Sequence, residues 1–126
     1  MLLSNQQIIN TLNNIGVITA KAMPVKVSYA ISKNITKLEK EIETYSKERE
    51  KLLQECGKKD DKGEFVVRED GNIFIEEAKV STWNNGVNEL LVIENEVEIH
   101  KFNISALETV DMTVEEIKTI EFMIEE

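Results

Sequence analysis

The sequence predicts an α+β protein: a long central α-helix, a short N-terminal helix, a small antiparallel β-sheet (a hairpin plus one strand) and C-terminal helices. Three observations lead there. The stretch "ISKNITKLEKEIETYSKEREKLLQECG", residues 31–57, repeats its apolar positions at heptad spacing. After Gly57 the apolar period drops to two. Near the end, helical spacing returns behind a capping sequence.

The first helix opens on Ser4 and Gln7, which stand at the N-cap and N3 spacing of a capping box. Ile8, Ile9, Leu12 and Ile15 form its stripe, and Gly16 is the expected C′ stop. Pro24 suits the first turn of the next helix, where its missing N–H costs nothing. Ile31, Ile35, Leu38, Ile42, Tyr45, Arg49, Leu52 and Cys56 then step alternately by four and three, and Gly57 ends the run. At about 1.5 Å per residue this is a rod of roughly 50 Å. The first helix covers only part of it. The rest of the seam must meet the C-terminal half or a second copy of the chain, as a two-fold homodimer through the long helix.

Beyond Gly57, "FVVR" and "NIFIE" flank "EDG" and predict a hairpin closed by a glycine-containing turn. Ser81 or Thr82 is the expected cap of a third helix carrying Trp83, Val87, Leu90 and Leu91, although Asn84, Asn85 and Gly86 weaken it. "EVEIHKFNI" (96–104) alternates as the third strand, with a bulge at His100–Lys101. "SALE" (105–108) and "TVEE" (113–116) have capping-box spacing, and the second opens a final helix with Val114, Ile117, Ile120 and Ile124 on one face. No internal repeat stands out.

A chain of 126 residues fits a single domain, 1–126, helical and mildly basic over 1–56, α+β and strongly acidic over 57–126. The first part holds 8 Lys/Arg against 6 Asp/Glu, net +2; the second holds 7 against 18, net −11. One cysteine excludes an internal disulfide and suits a reducing compartment. "MLLSNQQ" has neither a basic n-region nor a long apolar run, so neither signal peptide nor membrane segment is expected, and the host-cell cytoplasm is the expected location.

Catalytic chemistry finds little to stand on. His100 is the only histidine, and a partly exposed structural role on a short strand is the better reading. Cys56 lies on the seam, where cysteine packs as a small hydrophobe. Asp60, Asp61 and Gly63 lack the alternating ligands and distal glutamate of a calcium loop, and the glycines form no phosphate loop. No cofactor or metal is expected, and the chain is read as a non-enzyme. With two arginines and net charge −9, direct nucleic-acid binding is not expected either. What remains is an acidic face for a basic protein surface. Its candidate contacts are Asp60, Asp61, Glu64, Glu69 and Asp70 around the hairpin, then Glu76, Glu77, Glu94, Glu96 and Glu98, with Trp83 as an aromatic anchor.

The run "ISKNITKLEKEIETYSKEREKLLQECGKKDDKGEF", with "ELLVIENEVEIHKF" and "EEIKTIEFMI", resembles a family of small uncharacterised phage and prophage proteins from low-GC Gram-positive hosts. The resemblance brings no activity and no site residue. It implies a viral or prophage gene, and phage genes this small without an active site tend to encode inhibitors of host systems or virion assembly parts. The expected function is therefore an inhibitor of a host or anti-phage defence protein, of the anti-CRISPR type for example. The alternative is a phage assembly or tail-associated protein.

Overall fold

The computed structural model describes residues 1–126, and its fold is α+β. In chain order the elements are β1 (Leu2–Ser4), α1 (Asn5–Asn14), α2 (Gly16–Thr19), α3 (Val25–Cys56), α4 (Val80–Leu91), β2 (Glu94–Glu96), β3 (Phe102–Asn103), α5 (Val114–Ile120) and β4 (Ile124–Glu125). Short 3-10 turns occupy Glu77–Lys79, Ile104–Leu107 and Glu121–Met123. The chain divides into two compact units, Met1–Glu43 with Glu94–Glu126, and Thr44–Ile93. The long helix α3 contributes to both, and no helix is long and apolar enough to cross a membrane.

In the first unit the Ser4–Gln7 capping box forms in both directions, satisfying two N–H groups that α1 would otherwise leave open. Gly16 is not a stop: helical backbone resumes there as α2, and its φ is not positive. The seam of α3 meets the chain's own segments. Val27, Ala30 and Ile31 pack with Ile15, Ile18, Phe102, Ile120 and Met123, while Leu38 packs with Leu3, Ile8 and Val97. Each fully buried aliphatic side chain contributes about 1.5–3 kcal/mol. Ile35 and Ile42 are only half-buried beside these clusters.

The strand expected over 96–104 is two separate pieces, and neither joins the hairpin. Antiparallel β2 pairs with β1, Leu3 opposite Asn95, whereas β3 runs parallel to β4, Phe102 opposite Ile124. Parallel neighbours require a long crossover. Residues 104–123 supply it, with α5 inside, which is why Ile124 is strand rather than a fourth residue of a helical stripe. At the break between the pieces, Asn34 replaces a strand partner. Its side-chain amide donates to the His100 carbonyl and accepts from the His100 N–H, both at 2.8 Å, while the asparagine itself is 0% exposed. The Thr113–Glu116 box caps α5 as expected, but Ser105 caps nothing: Asn103 holds the N-cap of its 3-10 turn and accepts from the Ser105 N–H.

The second unit is organised by backbone. Gly57 pairs with Ile75, Lys59 with Phe65 and Val67 with Ile73, all antiparallel. Three segments cannot be mutually antiparallel in a flat sheet, so they meet as the sides of a triangle. At its centre Lys58 N–H donates to the Phe74 carbonyl, Phe74 N–H to Val66, and Val66 N–H to Lys58, at 2.7–2.9 Å. Residues 58, 66 and 74 thus recur every eight positions. At two corners a turn closes with glycine in the left-handed region, Gly63 at φ 81° and Gly71 at φ 87°, as a hairpin of this length requires. The third corner joins the end of α3 to Glu76, whose N–H donates to the Cys56 carbonyl.

Helix α4 starts at Val80, ahead of the expected Ser81 or Thr82, and has no side-chain cap. It runs unbroken through Asn84, Asn85 and Gly86. Gly86 lies against Leu52: an added Cβ would sit 2.6 Å from Leu52 Cδ2. At Gly57 an added Cβ would lie 2.7 Å from both the Leu53 carbonyl oxygen and the Phe65 ring.

Two outcomes are expected. Asn34→Ala leaves the part-buried N–H and C=O of His100 without their protein partner, so unfolding free energy should fall by about 1–3 kcal/mol. A denaturant midpoint equal to wild type would refute that role. Gly57→Ala must displace backbone and should cost about 1–3 kcal/mol. Gly86→Ala displaces only the end of a leucine and gains helix propensity, so it should cost less; the reverse order in thermal melts would contradict the packing described.

Candidate functional site

The triangle decides where the predicted acidic contacts stand. Asp60, Asp61 and Glu64 occupy one corner, Glu69 and Asp70 a second, and Glu76 with Glu77 the third. Glu94, Glu96 and Glu98 belong to the other unit. Two of these carboxylates have local work. Asp60 accepts from the Lys62 and Glu64 N–H groups at 2.9 and 3.0 Å, and Asp70 accepts from Asn72 N–H at 3.0 Å. That backbone bond, with a smaller contribution from the Arg68 charge, holds the Asp70 carboxyl below its ordinary pKa. Asp61, Glu64 and Glu69 are exposed. Glu96 accepts from the Met1 nitrogen at 2.6 Å, and the Glu98 carbonyl accepts from Lys37 Nζ at 2.7 Å.

The units also redistribute the charge. The first holds 7 Lys/Arg against 13 Asp/Glu and the second 8 against 11, nets of −6 and −3. Around the first corner Lys59 and Lys62 offset two of three acids. The steep contrast read along the chain is shallow in space.

His100 and Cys56 acquire no catalytic partner. The His100 ring meets Tyr29 edge-on, with centroids 5.6 Å apart, and its backbone is committed to Asn34. The two rings face a cavity of about 550 Å³ that also takes in Lys26, Lys101 and Glu125. Cys56 is fully buried; burial raises its thiol pKa, the Glu55 charge adds to the rise, and Lys79 opposes it. A thiol held in the protonated form is a poor nucleophile. No group of three or more His, Cys, Asp or Glu is placed to hold a metal ion.

A feature that sequence reasoning passed over lies in the second unit. Arg49 and Arg68, the only two arginines among 15 basic residues, line one cleft of about 370 Å³ with Trp83, Leu53, Gly71 and Asn72. Trp83, half-buried, carries the Arg49 guanidinium 5.1 Å from its ring centroid, and Arg68 stands 5.7 Å from that of Phe74. The available signal was Arg49 itself, a permanent charge at a seam position where the heptad calls for an apolar residue.

Comparison with protein-family models, with curated proteins and with solved structures finds no match to this chain.

In the first unit the Glu116 side chain is 12% exposed. It accepts from Thr113 N–H at 3.1 Å, and Lys21 Nζ lies 3.2 Å from its other oxygen, near enough for attraction but outside hydrogen-bonding angles. The Thr113 bond first, then Lys21, holds its pKa below the ordinary 4.5. A depressed native pKa gives stabilisation that is complete above the ordinary value and is lost as pH falls through the native one. Glu116→Gln should therefore lower Tm at pH 7 and converge on wild type below pH 4.5. A gap that stays constant down to pH 3 would assign the cap to hydrogen bonding alone.

Proposed function

We propose that this chain is a non-enzymatic protein-binding protein whose exposed carboxylates meet a basic surface on a partner. The observation that carries this is the construction of the acidic corners: Asp60 and Asp70 are fixed by the N–H groups of their own turns, so Asp61, Glu64 and Glu69 project from closed, glycine-bearing turns rather than from floppy loops. Pre-ordered charges give up little freedom on binding. The finer reading, a phage-encoded inhibitor of a host or defence protein such as an anti-CRISPR-type protein, draws its support from the sequence resemblance. A second reading, a virion assembly or tail-associated part, draws support from Val25 and Tyr29, apolar positions on α3 that are 84% and 56% exposed and line the 550 Å³ cavity.

The test begins with capture of a partner from host lysate on the intact chain, followed by binding kinetics with that partner at low and high salt. Because the corners are distinct, they are reversed separately, sparing Asp60 and Asp70, which close the turns. Asp61→Lys with Glu64→Lys, or Glu69→Lys, should slow association several-fold and flatten its salt dependence at whichever corner faces the partner. On-rates and salt slopes unchanged in both variants would defeat the acidic-contact reading. Light scattering at tens of micromolar separates the second reading, which expects a multimer.

A further inference from the structure

We propose that the cleft holding Arg49, Arg68 and Trp83 is a binding site for an oxyanion, a phosphate or carboxylate group carried by a ligand. The chain has 13 lysines and two arginines, yet both arginines line this one cleft of about 370 Å³, a volume in the range of small-ligand sites. Neither guanidinium donates a hydrogen bond within the chain. The nearest acid, Asp70 Oδ1, stands 4.0 Å from Arg68 Nε and is already taken by the Asn72 N–H at 3.0 Å. Packing against Trp83 and Phe74 gives each arginine a structural reason to exist. A guanidinium beside a ring, however, still has its N–H groups to offer, and two arginines lining one cleft suit the paired oxygens of a carboxylate or phosphate. Lysine would supply the same charge without that geometry. Leu53 and the indole give the cleft an apolar wall, so the oxyanion is best carried beside a flat or aliphatic group.

The inference shares Trp83 with the acidic-face reading, but its arginines are none of that reading's contacts, so each can fail without the other. Trp83 is the only tryptophan and reports directly on the cleft. The experiment titrates the intact chain with inorganic phosphate and, separately, with glutarate at pH 7 and low ionic strength, following indole fluorescence against sodium chloride of matched ionic strength. A saturable change with either anion is expected. Arg68→Gln, which leaves the Arg49–Trp83 contact in place, should weaken it by about tenfold or more, as loss of a charged hydrogen bond does. Arg49→Gln should do the same by calorimetry, where the altered indole signal does not matter. Response to phosphate alone identifies a phosphate-bearing ligand, and response to glutarate alone identifies a carboxylate-bearing one. No saturable change beyond the chloride control, or equal affinity in the Arg49→Gln/Arg68→Gln double variant, would overturn the proposal and leave both arginines as packing.

Discussion

The Asn34 side chain is the constraint around which the first unit is arranged. The chain from β2 to β3 must pass α3 at a point where it has no strand partner, and an unpaired buried peptide group costs about 1–3 kcal/mol. An amide side chain has the donor and acceptor of a peptide, so Asn34 closes both bonds of His100. With that point fixed, Val97 on one side of it reaches the Leu3–Ile8–Leu38 cluster, and Phe102 on the other reaches the Ile18–Ile31–Met123 cluster. A polar residue in a helix core normally weakens it. Here it determines which residues on either side of residue 100 turn inward.

The same rule, that backbone groups must find partners, produces a different solution in the second unit. There the partners are other backbone groups, in a closed ring of three segments. The ring explains why glycine stands at 57, where the backbone of α3 and the Phe65 ring both crowd the Cβ position, and why it stands at 63 and 71, where φ is positive. Three glycines thus have two causes, close approach and chirality.

What could be read from the sequence follows from which of these rules act locally. The caps at Ser4 and Thr113, the extent of α3 and the glycine turn at 69–71 depend on neighbours within four residues, and all were legible. Asn34 was not, since its reason lies at residue 100, and an asparagine on a helix carries no mark of a distant peptide. The eight-residue recurrence escaped for another cause. Its second and third segments share an apolar triplet, Phe65–Val67 with Ile73–Ile75, and the glycine pair Gly63 with Gly71, but the first segment, Gly57–Lys59, carries none of that pattern. The stretch 97–101 looked like alternation because Val97 and Ile99 do face inward, although backbone pairing with Met1 holds only Val97 and stops before Ile99. For the candidate sites, the acidic residues were legible as composition, but their division among three corners and two units was not. The arginine cleft needed Arg49 to be read as an exception to the heptad.

That exception connects the stability of the second unit to its chemistry. Of the buried apolar side chains, the first unit holds twelve, from Leu3 to Met123, and the second holds only Cys56. Leu52, Leu53, Phe65, Ile73, Ile75 and Trp83 are half-buried, and the seam position between them and Tyr45 is occupied by Arg49 lying over Trp83. A unit held by a hydrogen-bond ring and partial burial opens more readily than one with a sealed core. Arg49 is itself exposed, so the heptad position there seals no core. A ligand that binds only the closed form restores stability in proportion to its occupancy, by about 2.7 kcal/mol at a hundredfold excess over Kd. The cleft that bears both arginines lies in the unit with the less sealed core, so a ligand held there would act where the fold is least secured by burial.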